Sequence, residues 1–586
     1  MKANDNDKRH AGKTRARAAA GRVAIELSSP SVGIEQTSHA FGINPLVFVV
    51  ACASIFAVIV WAVVSPSFIA KAGDASLAWV TTNFGWLFGL LAITTLVFML
   101  VIGYGRCGGV RLGADDEEPE FSTFSWIAML FSAGMGIGLL FYGPYEPLVY
   151  FNHPPHGFDV APHTVDAAQA AMAQTILHWG PIPWALYALV GGAIAYSAYR
   201  RGRAPLISAI FEPLFGRHAN GVAGAVVDIF AIVVTLFGTA VSLGIGALQI
   251  GKGIEITTGS GPLGEHAMLA IVGVLTLAFA IPAMSGIKRG IRLLSNANMA
   301  IAGCLALFVC VVGPSLFLLN FFPAAILSFF QDFATMLIRN PNQGEEVATF
   351  MASWTTYYWA WWISWTPFVG MFIARISRGR TLREFVTVVI VVPAFLCAIW
   401  FVIFGGTAIH MDLAGAGISN SGPPESMLFT LLRNLPYGAV TMALAMVSIV
   451  AFFVTSADSA CVVMSSMSQR GKPEPSRLIT AIWSALLGAT AASLLVAGGV
   501  AALSGLQSFM VVSALPFALV IFGMMICWSK ELRVDPYVLR QLRARCVNTT
   551  TGAGDAAPTS GDGASPPAVH DTPSTRRPGS VAPDSA

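Results

Sequence analysis

The chain has 586 residues, 55% of them hydrophobic and only 11% charged, with a net charge of +3 and a mean hydropathy of +0.67. Soluble domains carry about 25% charged residues, so the composition excludes an ordinary globular protein, a disordered chain and a nucleic-acid binder. So small a net charge points to no partner. Cys52, Cys107, Cys304, Cys310, Cys397, Cys461, Cys527 and Cys546 contain no pair at CxxC spacing. Neither a zinc site nor a disulfide framework is indicated, and they read as small apolar packing residues.

In chain order, residues 1–44 form a basic, polar tail. A membrane span takes about 20 apolar residues, and about twelve such stretches follow. They lie near 45–65, 83–104, 123–143, 167–199, 219–251, 266–286, 295–321, 350–374, 385–408, 437–460, 477–499 and 503–528. The first starts too far into the chain, and is too long, for a cleaved signal peptide. With the N-terminus in the cytoplasm, all but four of the 34 Lys and Arg fall on the cytoplasmic side; Lys71, Lys252, Arg339 and Arg433 lie outside. That asymmetry predicts an even number of crossings and two cytoplasmic termini. Between spans, 286–296 reads as a basic amphipathic turn, 322–349 as an amphipathic surface helix and 409–436 as a polar outer loop. After the last span, 530–546 reads as a basic juxtamembrane flank or surface helix, and 548–586 is too rich in Gly, Ala, Pro and Ser to bury a core.

The third span contains SAGMGIGLLFYGPYEP at 132–147, with Gly134, Gly136 and Gly138 alternating. Each Gly costs a helix interior about 1 kcal/mol relative to Ala. Clustered glycines let a helix unwind and free carbonyls, which in lipid survive only where they line a cavity or bind something. Close helix packing through small residues is the competing reading. It accounts for Gly134 with Gly138 at GxxxG spacing and leaves Gly136 superfluous.

The fourth span contains HWGPIPWALY at 178–187, and the eighth WTTYYWAWWISWTPF at 354–368. Five of the fourteen Trp lie in 354–365 and run along three turns. An interfacial belt needs rings at one depth only, so that explanation fails here. Ring faces attract a cation that has no N–H to donate, and quaternary ammonium is the standard guest of such cages. The tenth span ends in FFVTSADSA at 452–460, where Thr455 and Ser456 offer adjacent hydroxyls; Thr235 and Thr239 stand one turn apart in the fifth. Hard cations take such oxygens, although hydroxyls equally bond their own helix carbonyls. Glu146, Asp228 and Asp458 read as lying near helix ends rather than in mid-membrane. No HExxH, GxSxG or phosphate-binding loop is present, and no enzyme is indicated.

Taken together these segments resemble the betaine/choline/carnitine transporter family, over about 45–530. The resemblance is carried by GMGIG at 134–138, HWG at 178–180, PWALY at 183–187, TSADSA at 455–460 and above all 354–385. It implies an all-α polytopic membrane protein with a LeuT-like pair of inverted five-helix repeats, at about 123–321 and 350–528, preceded by two extra helices. The transporter body would span 45–529, between an N-terminal tail at 1–44 and a C-terminal tail at 530–586. It implies a substrate site built from Trp179, Trp184, Tyr187 and Trp362, with Trp361 and Trp365 alongside and the backbone of Ala133 and Met135 in the unwound segment. It further implies one sodium site from Ser132, Met135, Phe452, Thr455 and Ser456, and a second from Thr235, Thr239 and Phe368. No cofactor is implied beyond sodium as coupling ion. The expected partners are a betaine-like small solute and the lipid bilayer, with no nucleic acid; a homotrimer in a bacterial inner membrane is the assembly the family suggests. Gly138 is the position where proton-coupled choline carriers of the family often have Asp, and Pro144 departs from the common pattern. Two other readings compete with sodium symport of glycine betaine. One is proton-coupled choline uptake or carnitine exchange within the family. The other is an ion channel or membrane sensor with a ring cage.

Overall fold

The computed structural model describes residues 42–134, 136–285, 288–498 and 502–552. Of the tails expected at 1–44 and 530–586, residues 1–41 and 553–586 lie outside the described residues, as does Met135. The described chain is helical throughout, with one isolated β-bridge between Arg111 and Thr381.

The first half comprises α1 (Pro45–Val64), α2 (Pro66–Tyr104), α3 (Thr123–Gly134), α4 (Gly138–Asn152), α5 (Val165–Trp179), α6 (Pro181–Ala195), α7 (Val222–Thr258), α8 (Glu265–Ser285) and α9 (Lys288–Val312). The second comprises α10 (Ser315–Ile338), α11 (Thr356–Ile376), α12 (Leu382–Leu413), α13 (Gly438–Ser468), α14 (Arg477–Gly498) and α15 (Ala502–Arg533), after which α16 (Pro536–Gly552) begins. Eleven helices among the described residues are long and apolar enough to cross a membrane, counting α5 and α6 as one. The pieces α3 and α4 are too short to qualify singly, and α11, dense in Trp, Tyr and Thr, is not among them. Apolar side chains point outward along these helices: Val64 is 76% exposed, Leu316 74% and Leu478 70%. In water such a surface would aggregate; in lipid it is solvated.

Several element boundaries differ from the sequence reading. Helix α2 starts at Pro66, not near 83. The seventh span stops at Val312, and one new helix, α10, runs from Ser315 across the expected break at 322. Gly313 and Pro314 make that corner, since Pro cannot continue the preceding helix. The expected turn at 286–296 runs into α9, which is helical from Lys288. The fourth span is two helices: Gly180 ends α5, and Pro181 and Pro183 sit in the first turn of α6, where their missing N–H groups cost nothing.

The packing repeats itself after five spans. Helix α8 packs on α7 and α13, as α14 packs on α13 and α7; α15 lies on α7 as α9 lies on α13; α11 lies on α6 as α4 lies on α12. The pairs α8·α14 and α7·α13 map onto themselves. The stretches α4–α9 and α11–α15 therefore have the same internal order.

One end of the bundle, the side the charge pattern assigns to the cytoplasm, is tied by ion pairs. The π-helical turn Tyr196–Arg200 closes α6. Arg200 holds Asp535 bidentately at 2.5 and 2.7 Å, and Arg201 and Arg203 each hold Glu531 at 2.7 Å. Burial alone would raise the Asp535 carboxyl, but the hydrogen bonds and charge of Arg200 hold it below its ordinary value of 3.8. A depressed folded value contributes stability that is full above the unfolded value and is lost as pH falls through the folded one. Thermal unfolding should therefore be insensitive to Asp535 titration near neutrality and should drop below about pH 4. At neutral pH Asp535→Ala leaves Arg200 with the half-exposed Asp115 and the carbonyl of Gly113 as partners and should cost about 3 kcal/mol.

Candidate functional site

The site is built from the residues that helix breaks release. At Gly136 and Ile137 the third span is not helical, and α4 restarts at Gly138. Glycines here face bulky rings. A Cβ on Gly138 would lie 2.7 Å from Cη2 of Trp179 and 3.0 Å from Cη2 of Trp361; one on Gly136 would lie 2.7 Å from Cη2 of Trp365. Real Cβ contacts fall beyond these distances, so the backbone approaches the rings only because it carries no side chain. Of the other residues expected here, Met135 lies outside the described residues. For Ser132 and Ala133 only the helical backbone of α3 is described.

The break at Gly180 frees the carbonyl of His178, and the indole N–H of Trp362 donates to it at 2.8 Å. Trp362 stacks on Trp361 with centroids 5.2 Å apart, meets Trp179 edge-on at 4.9 Å and lies 6.3 Å from Tyr187. Trp361 lies 6.1 Å from Trp179 and from Trp365. All of these rings are buried. Trp184 reaches the cluster through Tyr187, 5.5 Å away. Trp361 Nε1 and the Tyr187 hydroxyl are buried without a hydrogen-bond partner.

Of the hydroxyls, Ser456 lies near Gly136, its Oγ 3.6 Å from where a Cβ would stand. Thr455 donates to its own helix, to the carbonyls of Ala451 at 2.9 Å and Phe452 at 3.1 Å. Thr239 likewise donates to the carbonyl of Thr235 at 2.8 Å, whereas the Thr235 hydroxyl is buried without a partner. Phe368 is buried on α11, which packs against α7 where Trp365 donates to the carbonyl of Gly238 at 3.4 Å. These oxygens are hard, uncharged donors of the kind sodium takes. Among the described residues no group of three His, Cys, Asp or Glu could hold a transition metal.

A polar cluster beside the rings escaped the sequence reading. Glu146 is fully buried inside α4, not near its end, and accepts from Trp179 Nε1 at 2.7 Å and from the Tyr358 hydroxyl at 2.5 Å. His178 Nδ1 lies 2.7 Å from the other oxygen of Glu146. Gln174 and Thr355 meet His178 Nε2 at 3.0 and 3.2 Å, and Arg339 donates to Gln174 at 2.7 Å. Asp458 is also buried well inside its helix, whereas Asp228, buried in the second turn of α7, lies near the helix end as expected and accepts from the amide and hydroxyl of Ser208. The one signal available for Glu146 was a carboxylate within an apolar span, which defaults to function in a membrane.

Residues 46–537 match the model of the betaine/carnitine/choline family of transporters. A betaine/ectoine transporter of Corynebacterium glutamicum is 45% identical, with 88% of this chain and 82% of that one covered. A glycine betaine transporter of Bacillus subtilis is 40% identical, covering 82% of this chain and 92% of its own. A solved Na+-coupled sialic acid symporter shares 12% identity at a TM-score of 0.39, over 75% of this chain and 87% of that one, too loose a likeness to pair residues.

Proposed function

Because the chain belongs to the betaine/carnitine/choline family of transporters, we propose that it imports a quaternary-ammonium solute, glycine betaine foremost, by sodium symport with alternating access. It is a transporter and not an enzyme. The observation that carries the substrate class is the buried ring cluster of Trp179, Trp361, Trp362 and Tyr187 set against a glycine-broken helix. A trimethylammonium group cannot be held by hydrogen bonds, and ring faces attract it by about 2 kcal/mol or more once water is excluded. The two unpartnered donors, Trp361 Nε1 and the Tyr187 hydroxyl, suit a ligand that also carries an acceptor, as a carboxylate does. Relatives named as betaine transporters support the same reading.

Ser456, with Thr455, Phe452, Ser132 and Met135, would hold one sodium ion; Thr235, Thr239 and Phe368 would hold another. When bound, the ion would supply the inward driving force. The molecule would sit in a bacterial inner membrane with both termini cytoplasmic, as a homotrimer. Uptake of radiolabelled betaine, choline, carnitine, ectoine and proline into proteoliposomes, with and without a sodium gradient, tests the whole reading. Sodium-driven betaine uptake is expected. Uptake that ignores sodium and follows pH would instead favour proton coupling.

Thr455→Ala with Ser456→Ala should raise the sodium concentration for half-maximal uptake by about tenfold, while betaine affinity at saturating sodium changes far less. Linkage requires that a lost sodium ligand appear as weakened sodium dependence. Equal loss at all sodium concentrations would assign these hydroxyls to helix packing.

A further inference from the structure

Given that the ring cluster holds a quaternary ammonium, the geometry points to Glu146 as the buried counter-charge of that cluster, oriented by a one-way donor relay that starts at Arg339. The inference rests on the preceding proposal and adds a residue outside the ring set.

The direction of the relay follows from which groups can only donate. A guanidinium has no acceptor, so the oxygen of Gln174 must face Arg339, 2.7 Å away. The Gln174 amide nitrogen is then turned to His178 Nε2 at 3.0 Å, and that nitrogen must accept. The ring proton consequently sits on Nδ1 and is donated to Glu146 Oε1 at 2.7 Å. The remaining oxygen takes the N–H of Trp179 and the O–H of Tyr358. Every bond in the chain points toward the carboxylate.

Two consequences bear on specificity. A trimethylammonium group has no N–H, so it cannot pull the carboxylate away from Trp179 and Tyr358. Those rings keep their orientation when the solute enters. Glu146 also places negative charge at the N–H edge of Trp179 and at the hydroxyl of the neighbouring Tyr358, which pushes electron density into both rings and makes their faces more negative. That charge acts in full on a monocation such as choline, whereas a zwitterion such as betaine carries its own carboxylate and feels it less. Glu146 thereby sets the balance between cationic and zwitterionic solutes, a role that simple packing would not produce.

Displacement of labelled betaine by unlabelled betaine and by choline, on purified full-length protein, measures that balance as a ratio of inhibition constants. Glu146→Gln keeps the shape and removes the charge; the choline-to-betaine ratio should rise at least about threefold. Tyr358→Phe removes one donor and leaves more charge on the carboxylate, so the ratio should fall by about twofold. Should Glu146→Gln fail to reach the membrane folded, the Tyr358→Phe ratio decides alone. Variants that weaken both solutes equally, with the ratio unchanged, overturn the counter-charge role and leave Glu146 a structural acceptor. A wild-type protein that binds neither solute fails at the earlier step, the ring cluster as a quaternary-ammonium site.

Discussion

Trp362→Leu should raise the apparent betaine constant about 30-fold, the equivalent of the roughly 2 kcal/mol that a desolvated ring face gives a cation. Trp362 is the point where the two halves of the molecule meet. It stands on α11, its indole N–H closes the carbonyl that the break after α5 leaves open, and its ring stacks on Trp361 and meets Trp179 edge-on. Leu fills much of the volume but offers no π face and no donor. Trp362→Phe restores the face and still leaves the His178 carbonyl unpaired, a cost of about 1 kcal/mol or more. An intermediate loss of about fivefold is therefore expected. The measurement is concentration-dependent uptake normalised to protein in the membrane. Unchanged constants in the Leu variant would remove Trp362 from the substrate site.

The local signals in the sequence were those that one helix carries by itself. The glycine alternation at 134–138 marks a real interruption, because the cost of glycine in a helix depends on no neighbour. The Trp and Tyr density at 354–365 marks α11, which is buried all round from Thr356 to Gly370. Hydropathy misplaced the start of α2. Lys71, Asp74 and Asn83 lower the apolar average, yet helical hydrogen bonds are internal to the segment and continue from Pro66. Treating 167–199 as one span hid the break at Gly180, although Gly180, Pro181 and Pro183 announced it. Glu146 and His178 were illegible in a stronger sense. Their pairing joins α4 to α5, and their partners Thr355, Tyr358 and Arg339 come from a different half of the chain. No pattern within a single helix encodes that meeting.

The glycines decide between an interruption built for a ligand and a seam built for helix packing. A packing seam would set Gly138 against another backbone. Its Cβ position is instead bounded by Cη2 of Trp179 at 2.7 Å and Cη2 of Trp361 at 3.0 Å, the far edges of two large rings. Both rings are held elsewhere, Trp179 by Glu146 and Trp361 by its stack on Trp362, so neither can swing aside without breaking another contact. Gly138→Ala must therefore displace the rings or the backbone, and overpacking of this kind costs about 1–3 kcal/mol. That strain falls on the substrate cluster itself, and transport per folded molecule should drop at least about tenfold. Gly136→Ala drives a methyl into Trp365 beside the Ser456 hydroxyl, so its loss should appear first in sodium activation. Gly138→Asp introduces a carboxylate where the rings already leave no room for a methyl. Its larger bulk should abolish betaine uptake rather than convert it to choline uptake, the outcome that charge alone would give. If Gly138→Ala transports normally per folded molecule while Gly134→Ala only lowers the amount of folded protein, the motif is a packing seam and the substrate lies elsewhere in the bundle.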